Sequence, residues 1–537
     1  MSRRDVLRLA AGAGIAVAAG GCTPPPGSVQ STSTRRAPSA ADAPPSSSPP
    51  PPPSAPPSPP PSIPGLSVLA RELSRPLLHP GSVSYPAAAR LYDPRFDAQA
   101  HPMAIAQCTS AAEVVACVRF AADGGAPLRL RAGGHSYGGW STGAGLVVDV
   151  SAMTGVALDT AGGSARVGAG ARLADVYAGL AAHGVAIAAG SCPTVGITGL
   201  TLGGGIGVLG RAYGLTCDAL RSVQIVTADG RLREVDAHTD ADLFWALRGG
   251  GGGSFGAVTA LTLAVQPVPT VQTFFLEWGF GAAESVLSAW QAWMAGADHR
   301  LWSTCKLLAD PGRGALYARV AGTWIGPRVA LEGQLAPLRS AVGAPPSAAQ
   351  AASLDYAQAM LVEAGCSGQT AEQCTAAALT PARRQPFAAT SAILTSPLPP
   401  PAISAAVQRV RAALEVGSLV EGGVSFDALG GVIAAVAPSD TAFVHRQALA
   451  SVQYTATWAS MSAVTGSVSA APFDAYVGDQ RSALQPWTGP SAYVNYADPA
   501  IIDYGAAYWG ANYSRLQAVK RDYDPSELFT FPQAVRA

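Results

Sequence analysis

Charge is scarce in this chain, and neither sign is in surplus. Lys, Arg, Asp and Glu make up 13% of the 537 residues, against roughly 25% in an ordinary soluble domain. The 35 basic and 35 acidic side chains cancel, and no local basic run restores an excess. Phosphate contacts depend on a Lys/Arg surplus, so a nucleic-acid binder is excluded. Long apolar runs are missing too. A spanning helix takes about 20 apolar residues, and the longest such window, Leu9 to Gly21, is shorter. That excludes a polytopic membrane protein. The eight cysteines include no CxxC pair and no Cys/His cluster of zinc spacing, so no metal site is expected. In place of charge stand 59 Gly and 44 Pro, the mark of a loop-rich globular protein joined to a low-complexity stretch. Dividing the length by about 150 residues gives a soft prior of three to four domains and a large core.

Ser2-Arg3-Arg4-Asp5-Val6-Leu7-Arg8 precedes a small-residue apolar window that ends at Gly20-Gly21-Cys22. Paired arginines before an Ala/Gly-rich segment too short to span make residues 1–22 an export signal rather than a fold element. The pattern resembles a twin-arginine signal. Ala19-Gly20-Gly21 before Cys22 resembles a lipobox, without its usual large aliphatic residue at position 19. An acylated Cys22 serving as lipid anchor, or an ordinary cleaved signal with Cys22 left over, both put the mature protein outside the cytoplasmic membrane. There it would stand at the cell surface or in the periplasm. Seventeen prolines fall between Pro24 and Pro64. Such a segment (23–66) cannot bury enough apolar surface to offset its ordering entropy, and it should reach on the order of 100 Å at about 3.1 Å per residue. Folding is expected to start near Ser67.

The folded part alternates helical and strand patterns. Ser110 to Asp123 has helical spacing and opens with Ser110 and Glu113, a capping box. Leu146–Val150, Ala165–Gly168, Gly184–Ala189 and Ala257–Val265 read as strands, Leu173–His183 and Asp240–Leu247 as helices. Two apolar runs around Asp229-Gly230 signal a hairpin over 223–236. Residues 271–490 form a second unit of strands and helices, with Pro-rich loops at 344–346 and 397–401. In the tail, Tyr513, Leu516, Val519 and Tyr523 share a helix face that Asp524-Pro525 stops. Cys366 and Cys374 are the best disulfide pair for an oxidising compartment. Cys108, Cys117, Cys217 and Cys305 read as buried small hydrophobes.

Three literal motifs compete for the function. Gly205 to Gly210 spells GxGxxG, and so does Gly251 to Gly256. At this glycine content chance supplies roughly 0.7 such matches. A dinucleotide fingerprint must follow an apolar strand and open a helix; here a glycine-laced loop (190–202) precedes the first and a helix the second. Gly134-His135-Ser136-Tyr137-Gly138 spells GxSxG, which would make Ser136 the nucleophile of a serine hydrolase. That elbow needs a buried parallel strand before it, whereas Leu128-Arg129-Leu130-Arg131 suits a half-exposed one. It also needs a helix after it, and Gly138, Gly139, Gly143 and Gly145 oppose that. There remain two glycine-rich loops, each bearing one nucleophilic side chain: Arg131-Ala132-Gly133-Gly134-His135-Ser136-Tyr137 and Gly190-Ser191-Cys192-Pro193-Thr194-Val195-Gly196. Clustered glycines let backbone N–H groups approach a diphosphate closely.

These two loops resemble those of the berberine-bridge-enzyme-like FAD oxidases, of the vanillyl-alcohol-oxidase (PCMH-type) flavoprotein fold. The resemblance continues through Gly199, Gly203, Gly204, Ile206 and Gly207, then Asp242–Gly250 and Gly253-Ser254-Phe255-Gly256-Ala257-Val258. It resumes at His445-Arg446, Gln453-Tyr454, Tyr493-Val494-Asn495-Tyr496, Tyr508-Trp509-Gly510 and Val519–Phe529. It covers roughly 85–537, and the middle (about 275–440) matches only in layout. It implies an α+β fold: a PCMH-type FAD-binding domain (97–270), a substrate domain (271–490) with a large antiparallel sheet covered by helices, and a segment (491–537) returning to the first. It implies FAD attached twice, through His135 and Cys192. Arg131, Gly133, Gly134, Ser136, Tyr137, Thr194, Gly196, Gly199, Gly203, Gly204, Gly207, Gly256, Val258 and Asn495 would bind the cofactor.

The activity implied is hydride transfer from an alcohol, a sugar, oligosaccharide or secondary-metabolite hydroxyl, to FAD, with oxygen reduced to hydrogen peroxide. Tyr496 would be the base and Gln453 its neighbour. Val195, three residues after the linking Cys, is the small side chain that goes with oxidases; a longer one goes with dehydrogenases, the alternative of the same fold. Two positions depart from the family. Ser451 stands where plant relatives carry a Lys that can activate the tyrosine, and Ile206 where they carry a Tyr. The partners expected are a small alcohol and oxygen, with the chain a monomer.

Overall fold

The computed structural model describes residues 65–159, 163–380, 384–459 and 468–537. The export signal and the linker up to Pro64 lie outside them. Three short strands, β1 (Ala104–Gln107), β2 (Leu128–Arg131) and β3 (Leu146–Asp149), form a parallel sheet in the order β1-β3-β2. Helix Ala111–Gly124 crosses between β1 and β2. Its expected capping box is only half present. Ser110 Oγ accepts from the Glu113 N–H, but the Glu113 carboxylate accepts from Thr109 (2.6 Å) and Ser74 (2.9 Å) instead of the Ser110 N–H. It thereby ties down the preceding segment.

A second, antiparallel sheet takes β4 (Val156–Asp159), β5 (Ser164–Gly168), β6 (Leu220–Val226), β7 (Leu232–Asp236) and β8 (Ala257–Ala264) in the order β4-β5-β8-β6-β7. The hairpin is β6–β7, with Gly230 at φ 69°, a left-handed value that glycine adopts without strain. The strand expected at 184–189 shrinks to Val185–Ala186, paired with Gln266–Pro267. The unit also begins earlier than residue 97. Leu69 lies in its core, and Leu78 exchanges backbone hydrogen bonds with Ile105 of β1.

The second unit is a seven-stranded antiparallel sheet. In chain order its strands are β9 (Val271–Gly279), β10 (Leu301–Asp310), β11 (Ala315–Ile325), β12 (Ala348–Leu354), β13 (Phe387–Leu394), β14 (Leu419–Ala428) and β15 (Ala450–Trp458). They stand in the order β12-β9-β11-β10-β14-β15-β13. Period-two alternation sorts the side chains. Phe274, Leu276, Cys305, Val320, Phe426 and Val452 share one core with the helices packed on that face, including Ala283–Gly296 and Pro400–Ala412. Lys306, Arg319, Ser425, Asp427, Ser451 and Gln453 point the other way, toward the first unit, whose core also takes in Val271, Trp302 and Ile393. The loop expected at 397–401 ends two residues early, because Pro400 opens a helix at the first-turn position where a missing N–H costs nothing. Cys366 and Cys374 are joined by a disulfide, and Cys108, Cys117, Cys217 and Cys305 are buried.

The tail folds back on the first unit through helix Tyr513–Tyr523, ending at Asp524 as expected. Two shorter helical pieces, Tyr504–Trp509 and Gly510–Asn512, precede it. At its end Lys520 and Asp524 form a fully buried ion pair at 2.6 Å. The Lys520 ammonium also donates to the carbonyls of Ser254 (2.6 Å) and Phe529 (2.8 Å), and Asp524 accepts from the Leu528 and Phe529 amides. One cation thus fastens the tail to the glycine loop at 250–254. Lys520→Met leaves a buried carboxylate without its counter-charge and is expected to cost about 3–5 kcal/mol in chemical denaturation. An unchanged unfolding midpoint would show that the pair carries no such load.

Candidate active site

Strand β2 delivers the first glycine loop. Its last residue, Arg131, is buried and paired with Asp149 of β3 (Nε to Oδ2 3.0 Å, Nη2 to Oδ2 2.9 Å), while its Nη1 has no hydrogen-bond partner among the described residues. β2 is a parallel strand and so meets one demand of a nucleophile elbow, but it stands at the edge of its sheet with Arg129 and Leu130 only half-buried, in line with the half-exposed strand expected from its sequence. The helix is absent: residues 132–141 are irregular, and Ser136 Oγ accepts from the Trp140 amide (3.1 Å), acting as a turn cap. The second loop leads into a short helix, Ile197–Leu202, where a loop was expected before Gly205. No strand precedes that GxGxxG either, so the dinucleotide reading still fails. The two loops touch. A Cβ on Gly133 would fall 2.3 Å from the Gly196 nitrogen, an approach that only glycine allows.

His135 is held rigidly. Its ring stacks on Tyr92 (centroids 3.8 Å apart, 18° between planes), and its Nε2 lies 2.9 Å from Thr194 Oγ1. Burial, then the Arg172 charge, lowers its pKa to about 3, which leaves a neutral imidazole. Between the loops lies a cavity of about 300 Å³. Its walls include Arg131, Gly133, Gly134, His135, Ser136 and Tyr137 from the first loop, and Cys192, Val195, Gly196 and Gly199 from the second. Gly207, Gly256, Val258, Asn495 and Tyr496 complete the group of expected site residues on its surface. Four others stand behind it. Thr194 orients His135. Gly203 makes room for the Asn495 amide, and Gly204 for the Phe443 ring. Gln453 donates from Nε2 to the Tyr137 hydroxyl (2.8 Å).

Tyr496 sits in a single 3-10 turn (Val494–Tyr496). It stacks on Tyr137 at 5.3 Å and meets the edge of Tyr493 at 5.0 Å. Burial, then Asp427, Tyr137 and Tyr493, push its pKa well above the ordinary phenol value, so it rests as a neutral phenol. Asp427 is the residue that sequence reasoning missed. It lies on β14, lines the same cavity, and has a raised pKa caused by burial, offset by Lys306 and Ser425. Trp302, Phe387 and the tail segment 529–531 also line the cavity and were not foreseen. The inward sheet face carries polar atoms without partners among the described residues: Trp302 Nε1, Thr323 Oγ1, Ser451 Oγ and Gln453 Oε1. A buried polar atom left unsatisfied is costly, and of these four residues Trp302 lines the cavity.

The residues fit FAD on three counts. The cavity is walled by the glycines of 250–253, which leave backbone close to any ligand. Buried Arg131 lines the cavity, and its Nη1 is a donor without a partner among the described residues. His135 offers a nucleophilic nitrogen. Cys192, on the second loop, lines the same cavity.

Residues 102–236 match the FAD binding domain family, and residues 492–536 the berberine and berberine-like family. The chain is 32% identical over 440 residues to an uncharacterized FAD-linked oxidoreductase, YgaK, of Bacillus subtilis, covering 81% of this chain and 91% of that protein. It is 30% identical over 475 residues to the chitooligosaccharide oxidase of Gibberella zeae, covering 85% and 91%. Among solved structures, wild-type BBE-like 1 of Physcomitrella patens superposes with a TM-score of 0.79 at 28% identity, over 88% of this chain and 98% of the other. With matching modules at both ends of the fold and relatives aligned along most of their length, the chain belongs to the berberine-bridge-enzyme-like FAD-linked oxidoreductases.

Proposed function

We propose that this enzyme is an exported oxidase that takes hydride from a polyhydroxylated alcohol, a sugar or oligosaccharide, and passes the electrons to oxygen, giving hydrogen peroxide. The observation that carries this reading is the meeting of Tyr496 and Asp427 on one cavity with the two glycine loops. Bound FAD supplies the two-electron acceptor that no side chain can provide. His135, and Cys192 as a thiolate, are the groups that would fix it. The chain's own work is positioning and proton handling. A neutral, buried phenol cannot take a proton unless it hands its own onward. Asp427 is the carboxylate able to receive that proton, so the two act as a relay in place of a phenolate activated by a cation at position 451. The unpartnered polar atoms of the sheet face suit hydroxyl groups, and two of the similar proteins are called chitooligosaccharide oxidase and carbohydrate oxidase.

Anaerobic mixing with cellobiose, chitobiose and simple aryl alcohols tests the substrate class: bleaching of the flavin by the sugars supports it, and bleaching by the aryl alcohols alone refutes it. Export and anchoring through Cys22 follow from the signal sequence, and cell fractionation decides them. Val195, half-buried on the cavity wall, bears on oxygen. Close-packed sites leave few voids, so one added methylene can close an oxygen path. Val195→Leu is expected to slow reoxidation about tenfold or more, a barrier rise of about 1.4 kcal/mol, with flavin reduction nearly unchanged. Slow reoxidation in the parent enzyme would instead make it a dehydrogenase.

A further inference from the structure

Lys306 is the odd residue of the inward sheet face. It lies in β10, buried to 3% exposure, and its ammonium has no hydrogen-bond partner among the described residues. Register fixes its neighbours. Lys306 stands opposite Ser425 of β14, and Asp427 opposite Thr304, so Lys306 and Asp427 are diagonal neighbours on one face of adjacent strands. Diagonal pairs lie within reach of long side chains. The same register puts Asp427 opposite Ser451 on β15. The carboxylate therefore has a serine on one side and the lysine's strand on the other.

The other charges near Lys306 are already engaged. Arg319 of β11 is paired with Glu277 of β9 (2.9 Å), and Glu421 of β14 accepts from the Tyr317 hydroxyl (3.1 Å). Glu363, at the end of helix Tyr356–Glu363, is buried, and desolvation lifts its pKa to about 7. It is therefore substantially protonated near neutral pH and competes only weakly for the cation. Asp427 is the carboxylate left, and it is also the strongest of the carboxylates acting on Lys306, whose own pKa burial lowers to about 8.

We propose that Lys306 is the positioning cation of this site, holding Asp427 as a carboxylate on the cavity wall so that it can receive the proton Tyr496 gives up. The inference rests on the reading of Tyr496 and Asp427 as a proton relay. In that step the substrate O–H breaks and its proton joins the Tyr496 oxygen as the Tyr496 proton passes to Asp427. The carbinol C–H leaves with its electron pair to FAD, and the C=O bond forms. Oxygen then takes the two electrons and two protons, which resets Asp427. Lys306 touches none of the reacting atoms.

The sign follows from charge. A nearby cation favours the ionised acid, so removing it raises the Asp427 pKa and moves the acid limb of the rate profile to higher pH. The test needs no turnover. The protonated-carboxyl stretching band of the resting, flavin-loaded enzyme is titrated by infrared difference spectroscopy, with Asp427→Asn identifying the band. Lys306→Met should move the midpoint up by a unit or more, and Lys306→Arg should restore it. The acid limb of anaerobic flavin reduction by cellobiose should follow, with apparent KM little changed. A purely structural lysine would alter melting temperature and leave the midpoint in place. A midpoint unmoved in both Lys306→Met and Lys306→Gln overturns the inference while leaving the relay standing. If Asp427→Asn reduces its flavin at the parent rate, the relay itself falls and this inference with it.

Discussion

Asp427→Asn and Tyr496→Phe are each expected to slow substrate-driven flavin reduction by roughly a hundred- to ten-thousand-fold, the usual worth of a positioned proton acceptor. The visible spectrum of the resting protein should stay intact, because neither residue is one of the two proposed anchors. Groups that work as a unit are non-additive, so the double variant should be little worse than the worse single one. The pH profile carries a second signature. Asp427 must be ionised to act, and its pKa is raised. The parent rate should therefore climb with pH through an inflection above the ordinary aspartate value of about 3.9. Asp427→Asn should lose that limb altogether. Anaerobic stopped-flow reduction across pH decides the matter; two single variants whose losses multiply in the double would show independent roles and dissolve the relay.

Asp427 was not read from the sequence, and the reason is physical. The two glycine loops are local strings: their spacing, their nucleophiles and the approach of Gly133 to Gly196 all follow from contiguous residues. The tail helix and the hairpin at Asp229-Gly230 are legible on the same terms. Asp427 becomes a site residue only through strand register, set by pairing with β10 and β15, whose residues lie far off in the chain. A signal was nonetheless present. In Val424-Ser425-Phe426-Asp427 the apolar side chains alternate with a hydroxyl and a carboxylate, and a charge on the inner face of a strand otherwise fit for burial asks for a function. Lys306 sits the same way among Cys305 and Leu307. Local strings misled where tertiary context overrode them. β2 reads as half-exposed because of its arginines, and Arg129 and Leu130 are indeed only half-buried, yet Arg131 is buried against Asp149. Glu113 serves Ser74 and Thr109 instead of its own helix cap.

Removing either flavin anchor alone should leave the acid-precipitated protein yellow, and only His135→Ala combined with Cys192→Ala should release the cofactor entirely. The two side chains are independent in chemistry. His135 offers a neutral imidazole nitrogen, held by Thr194 and by stacking on Tyr92. Cys192 can bond only as a thiolate. Intact mass of the denatured protein reads each link separately. Flavin carried through His135 should appear in Cys192→Ala, and flavin carried through Cys192 in His135→Ala. Once the covalent links are gone, the glycine walls and Arg131 still bind, so the native double variant should hold FAD reversibly and yield it to dialysis. Apoprotein mass for the parent chain after denaturation would falsify covalent attachment outright. Loss of all flavin from His135→Ala alone would leave His135 as the single anchor and Cys192 as a residue of the cavity wall.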